Sequence, residues 1–144
     1  MSARTENRLR QFLLLLTGLT LGSTLVELVL QDHNKELLQW VPFILCVIGG
    51  IAVLGVLLRP QRRTILAMRV TMVIVGLGGA IGSAIHLFEN FQFEQEIQPT
   101  AAAGELIVKT LKGAAPLLAP GVLVFAALLA LAATYAHPVL GPRE

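Results

Sequence analysis

Apolar residues crowd into four stretches, roughly 12–30, 41–58, 65–87 and 116–135, with the polar residues gathered in short clusters between them. A helix rises 1.5 Å per residue, so about 20 mostly apolar residues are needed to cross ~30 Å of hydrocarbon. All four stretches meet or approach that length. The pattern predicts an all-α integral membrane protein whose residues 1–144 form one membrane domain, a bundle of four transmembrane helices. The first stretch follows Arg4, Arg8 and Arg10, as a secretory signal does. A signal core is shorter, ~7–15 residues, and ends at a small-residue cleavage site, so this segment is expected to be retained.

The connection at about 88–115 is the one long loop predicted. Thr100, directly after Pro99, suits an N-cap, with Leu106, Ile107, Leu111 and Ala114 on one helical face and Glu105, Lys109 and Lys112 around the other. This predicts either a short amphipathic helix lying on the outer membrane surface or an extension of the fourth span into the headgroups.

Composition agrees with this pattern. Hydrophobic residues make up 55% of the chain and charged residues 14%, against about 25% charged residues in soluble domains. The formal net charge of +2 is spread over short clusters, which excludes a nucleic-acid face and leaves the lipid bilayer as the predicted partner. Cys46 is the only cysteine, so neither an internal disulfide nor a dithiol centre can form.

Charge also predicts orientation, because lysine and arginine are retained on the cytoplasmic side during insertion. Arg4, Arg8 and Arg10 precede the first span, and Arg59, Arg62 and Arg63 fill the loop between the second and third. In the alternate loops acids outweigh bases, Asp32 and Glu36 against Lys35 in one and Glu89, Glu94, Glu96 and Glu105 against Lys109 and Lys112 in the other. Both termini are therefore expected in the cytoplasm, with a bacterial plasma (inner) membrane as the predicted location. Trp40, Phe91 and Phe93 fall where an outer aromatic belt belongs, and Tyr135 where an inner one belongs.

Helices in lipid pack through small residues that let backbones approach. Gly18-x-x-x-Gly22 and Gly78-x-x-x-Gly82 are the predicted packing motifs. Gly76, Gly79, Ser83 and Ala84 flank the second motif, Gly49, Gly50, Ala52 and Gly55 lie on the second span, and Ala126, Ala127, Ala130 and Ala133 on the fourth. Such faces serve contacts within the bundle or contacts in a homo-oligomer or larger membrane complex. Pro116 and Pro120 belong to a first helical turn, where amides are unpaired in any case.

An ionisable group within hydrocarbon costs at least ~2.5 kcal/mol at mid-helix on insertion scales and marks a candidate site. Glu27 is the clearest one, continuing a polar stripe of Thr17, Thr20, Ser23 and Thr24 that is expected to face the interior. On the third span His86 and Glu89 are helical neighbours at a matching depth. Glu27, His86 and Glu89 form a candidate site for a proton or a divalent metal, since imidazole and carboxylate are suitable ligands. The simpler alternative is a Glu27 to His86 hydrogen bond that ties two helices together. His33 could join His86 at a haem only if its loop folded inward, His137 is expected to be exposed at the terminus, and Arg69 is expected to snorkel to the cytoplasmic face.

The G-x-S-x-G, phosphate-loop, H-E-x-x-H and C-x-x-C signatures are absent. No cofactor is predicted beyond the candidate divalent metal. A non-enzymatic accessory or structural component leads the functional readings. A small proton or cation transporter using Glu27 and His86, and a membrane enzyme with a lipid or quinone pocket open to the outer face, are the alternatives.

Overall fold

In a computed structural model, the protein is described over residues 2–113, 115 and 118–141, and these contain helices and no strands. Five α-helices follow in order: α1 (Ala3–Leu30), α2 (Trp40–Leu58), α3 (Arg62–Ile97), α4 (Ala103–Leu111) and α5 (Leu118–Ala133). Short 3-10 turns at Leu37–Gln39 and Pro138–Leu140 complete the set. Pro116 and Ala114, assigned above to a helix start and to an amphipathic face, lie outside the described residues.

Helices α1, α2 and α3 are long and apolar enough to cross a membrane, whereas the apolar part of α5, Ala119–Ala133, is shorter. Only 22–28% of the most apolar window in each long helix is buried within the protein. Side chains such as Leu19, Ile51, Val70 and Leu77 stay exposed. In water so much open apolar surface would be prohibitive; in lipid it is the solvated face.

Each helix end has a local cause. Arg59 and Gln98 each precede a proline and leave helical geometry, with φ/ψ of −144°/86° and −133°/72°. This is the clash that a proline imposes on the residue before it. The Thr64 hydroxyl accepts from the Gln61 amide at 3.0 Å and donates to the Arg59 carbonyl at 2.6 Å, which fixes the tight turn into α3.

Helix α1 starts at Ala3, ahead of the apolar stretch that begins at Phe12, with the Ser2 hydroxyl accepting from the Thr5 amide at its N-cap. Two expectations about boundaries are corrected. Helix α3 does not end near Leu87 but runs ten residues further, to Ile97, because nothing between Phe88 and Ile97 breaks a helix before Pro99 does. At 36 residues it is about 54 Å long, well beyond the hydrocarbon thickness. Thr100 is not an N-cap: α4 starts at Ala103 behind Ala102, which supplies no side-chain cap.

Helix α1 packs against α2 and α5, and α3 packs against the same two, so α1 and α3 lie across from each other rather than side by side. The core between them is apolar and centred on Leu21, Val53, Met68, Met72, Val75 and Leu123. Helix α3 meets the backbone of α5 through glycines. A methyl group on Gly79 would lie 2.7 Å from the Pro120 carbonyl oxygen and 2.9 Å from the Leu123 Cβ; on Gly82 it would lie 3.0 Å from the Pro120 Cβ, and on Gly76 3.2 Å from the Ala127 Cβ.

The packing stripe is therefore Gly76, Gly79 and Gly82, not the Gly78 and Gly82 pair as a unit, since Gly78 turns toward Leu45 of α2. Gly18 and Gly22 do not bring another helix of this chain close either. A methyl group on Gly18 would only touch Val53 at 3.9 Å, and one on Gly22 would meet nothing within 4 Å.

Candidate functional site

Where α1 ends and α2 begins, side chains from α1, α2, α3, α5 and the intervening loop enclose a cavity of about 390 Å³. Its polar rim carries Glu27, His33, Glu36, His86 and Glu89, and its walls include Leu45, Ile81, Ile85, Pro120 and Leu123. Glu27 and His86 thus share one space, as their matching depths imply. They do not join directly: the Glu27 carboxylate accepts from the Gln31 amide at 2.9 Å, whereas His86 Nδ1 lies 3.5 Å from a Glu89 oxygen. That Nδ1 is buried and makes no hydrogen bond.

The simple helix-tying hydrogen bond between Glu27 and His86 is thereby corrected, and the placement of α1 across from α3 is the reason. Nor do Glu27, His86 and Glu89 converge as ligands. Among the described residues no group of three His, Cys, Asp or Glu side chains is placed to hold a metal ion. His33 does reach the same cavity as His86.

The polar stripe of α1 divides. Thr17 and Thr24 are buried and Thr20 half-buried, but Ser23 and Glu27 are exposed. The buried face follows Leu14, Thr17, Leu21 and Thr24, so Ser23 and Glu27 lie beside it. The hydroxyls do not seek partners on other helices. Thr17, Thr20 and Thr24 each donate to the carbonyl four residues back, at Leu13, Leu16 and Thr20, at 2.8 Å, and Ser23 donates to Thr20 at 2.9 Å. A hydroxyl satisfied by its own helix can sit in an apolar setting with no further partner.

Comparison with models of known protein families, with curated proteins and with solved structures found no match. What the protein does must be argued from its own groups.

Two polar arrangements were missed in the sequence. At the opposite end from the cavity, Arg69 of α3 reaches the end of α5. Its Nη2 donates to the Thr134 carbonyl at 2.6 Å and its Nε to the Thr134 hydroxyl at 3.2 Å. Arg10 of α1 donates to the Ala136 carbonyl at 3.2 Å. Two guanidinium groups thus bind carbonyls where α5 has ended, where carbonyls lack helical partners and the helix dipole favours positive charge. His137 follows directly and is half-buried rather than exposed. Loss of water contact, then repulsion from Arg10 and Arg69, holds its pKa below the usual histidine value.

The second arrangement is a clasp. Asn90 of α3 is buried; its amide donates to the Ala115 carbonyl and its side-chain oxygen accepts from the Ala115 amide, both at 2.9 Å. A side chain on Gly113 would run into Asn90, with the Oδ1 only 2.6 Å from a new Cβ. Only glycine lets the chain pass so close. The clasp holds the connection between α4 and α5 against α3.

Proposed function

We propose that the chain crosses a membrane four times, with both termini in the cytoplasm, and that it is a non-enzymatic accessory component associating with other membrane helices. The fourth crossing is α5, whose 16 residues give about 24 Å of helix. The arginines at the Thr134 end and the acidic loops at the other support this orientation.

The observation that carries the accessory role is the division of the glycines. Those of α3 are taken up within the bundle, by α5 and, at Gly78, by Leu45 of α2, but a methyl group at Gly22 of α1, or at Gly50 or Gly55 of α2, would meet nothing within 4 Å. Small residues on an outward helix surface suit a further helix that approaches closely. The extramembrane segments are also too short to hold a separate catalytic domain.

The test is the mass of the particle extracted from native membranes in a mild neutral detergent. Association predicts a particle larger than one chain, with a fixed stoichiometry that is lost in the Gly22→Leu variant while helicity is kept. A single chain carrying only lipid would overturn the proposal.

A further inference from the structure

The cavity at the α1–α2 turn has features that the accessory role does not use. Three carboxylates, Glu27, Glu36 and Glu89, reach it together with two imidazoles, His33 and His86, and among the described residues no lysine or arginine lines it. The carboxylates are poorly neutralised from within. The bond that Glu27 makes is to a neutral amide, and among the described residues Glu89 pairs, at 3.5 Å, with His86, which is charged only when protonated. Three carboxylates gathered at one cavity favour a positive ligand group.

The other half of the cavity is apolar, with Leu45, Ile81, Ile85 and Leu123 in its walls. Ile81 is 60% exposed and Ile85 36% exposed, so this wall is open at the helix surface. A bare inorganic cation would satisfy the rim but not the wall, and the rim does not converge on a metal. An anionic headgroup would meet like charge.

We propose that this cavity binds a membrane lipid with an ammonium-bearing headgroup, the ammonium set among Glu27, Glu36 and Glu89 and the start of an acyl chain lying along Ile81, Ile85 and Leu123. The volume of about 390 Å³ is at the lower end of the range for small-molecule pockets. It holds a headgroup with part of a chain, and the remainder runs out between lipids. The inference rests on the cavity end of the protein lying at a membrane surface, which is read separately by labelling of the loops.

The experiment uses the full chain in neutral detergent and counts bound lipids by native mass spectrometry. Ethanolamine-headed and glycerol-headed phospholipids with identical acyl chains are the probes, with phosphoethanolamine as the chainless control. One ethanolamine-headed lipid per chain is expected, retained at least about fivefold over the glycerol-headed one, a ratio within reach of one lost charge contact. The Glu27→Gln/Glu89→Gln double variant should erase that preference with helicity unchanged. Should the double variant fail to fold, Glu36→Gln, outside the long helices, should still reduce the preference. Equal retention of the two lipids, a preference that survives both variants, or equally tight binding of phosphoethanolamine alone would overturn the proposal.

Discussion

At the scale of single residues, the polar groups that matter most to the fold do their work through backbone atoms. Asn90 satisfies both the amide and the carbonyl of Ala115. Asn90→Ala leaves both unpaired in a partly buried place, and an expected loss of about 1–3 kcal/mol follows from the cost of orphaned groups. A denaturant titration in mixed micelles measures it. Arg69 makes two bonds with one planar fork, which the single ammonium of lysine cannot reproduce. Arg69→Lys should therefore speed amide hydrogen exchange at Tyr135–His137 while leaving α2 unchanged. His137 adds a pH dependence. Its pKa is lowered in the folded protein by loss of water contact and by Arg10 and Arg69, so between that lowered value and the ordinary 6.5 the unfolded chain binds more protons. Stability of this end is full above 6.5 and declines as pH falls through the window, a dependence that His137→Gln should abolish in the same exchange measurement. Glu27, His86 and Glu89 were legible as a shared location, because depth follows from helical rise. The bonds of Arg69 and Asn90 were not, because their partners lie 65 and 25 residues away and depend on which helices become neighbours.

At the scale of elements, hydropathy marked the long helices, and Pro60 and Pro99 are what stop two of them, at Arg59 and Gln98. What hydropathy could not mark was the extension of α3 past Leu87, since the residues there are polar enough to read as loop yet contain no helix breaker. The extension has a use: Phe88 and Phe91 on it meet Ile107 and Leu111 of α4 along an apolar groove. The glycine motifs misled for a related reason. Spacing alone shows that a helix can be approached closely, and the neighbour decides whether it is. Gly79→Ala would put a Cβ 2.7 Å from a backbone oxygen, which cannot swing aside, so a loss of about 1–3 kcal/mol is expected from overpacking. Gly22→Ala, which meets nothing within 4 Å, should stay within about 0.5 kcal/mol of the parent. Equal losses in the two variants on unfolding in micelles would contradict the packing described.

At the scale of the whole molecule, the apolar helices leave most of their outward surface exposed and gather ionisable groups toward the two ends. Carboxylates and imidazoles surround the cavity at one end, and Arg10 and Arg69 hold the end of α5 at the other. The account depends on these ends facing opposite sides of a membrane, with the cavity outside. Cys46 is the only cysteine in the sequence and is buried, so single cysteines can be introduced on a nearly silent background. Lys35→Cys, Arg62→Cys and Gln98→Cys should be probed in intact cells with a membrane-impermeant thiol reagent. Positions 35 and 98 are expected to label from outside, and position 62 only after the membrane is permeabilised. Labelling of position 62 in intact cells, with 35 and 98 protected, would contradict the orientation and the outward cavity together.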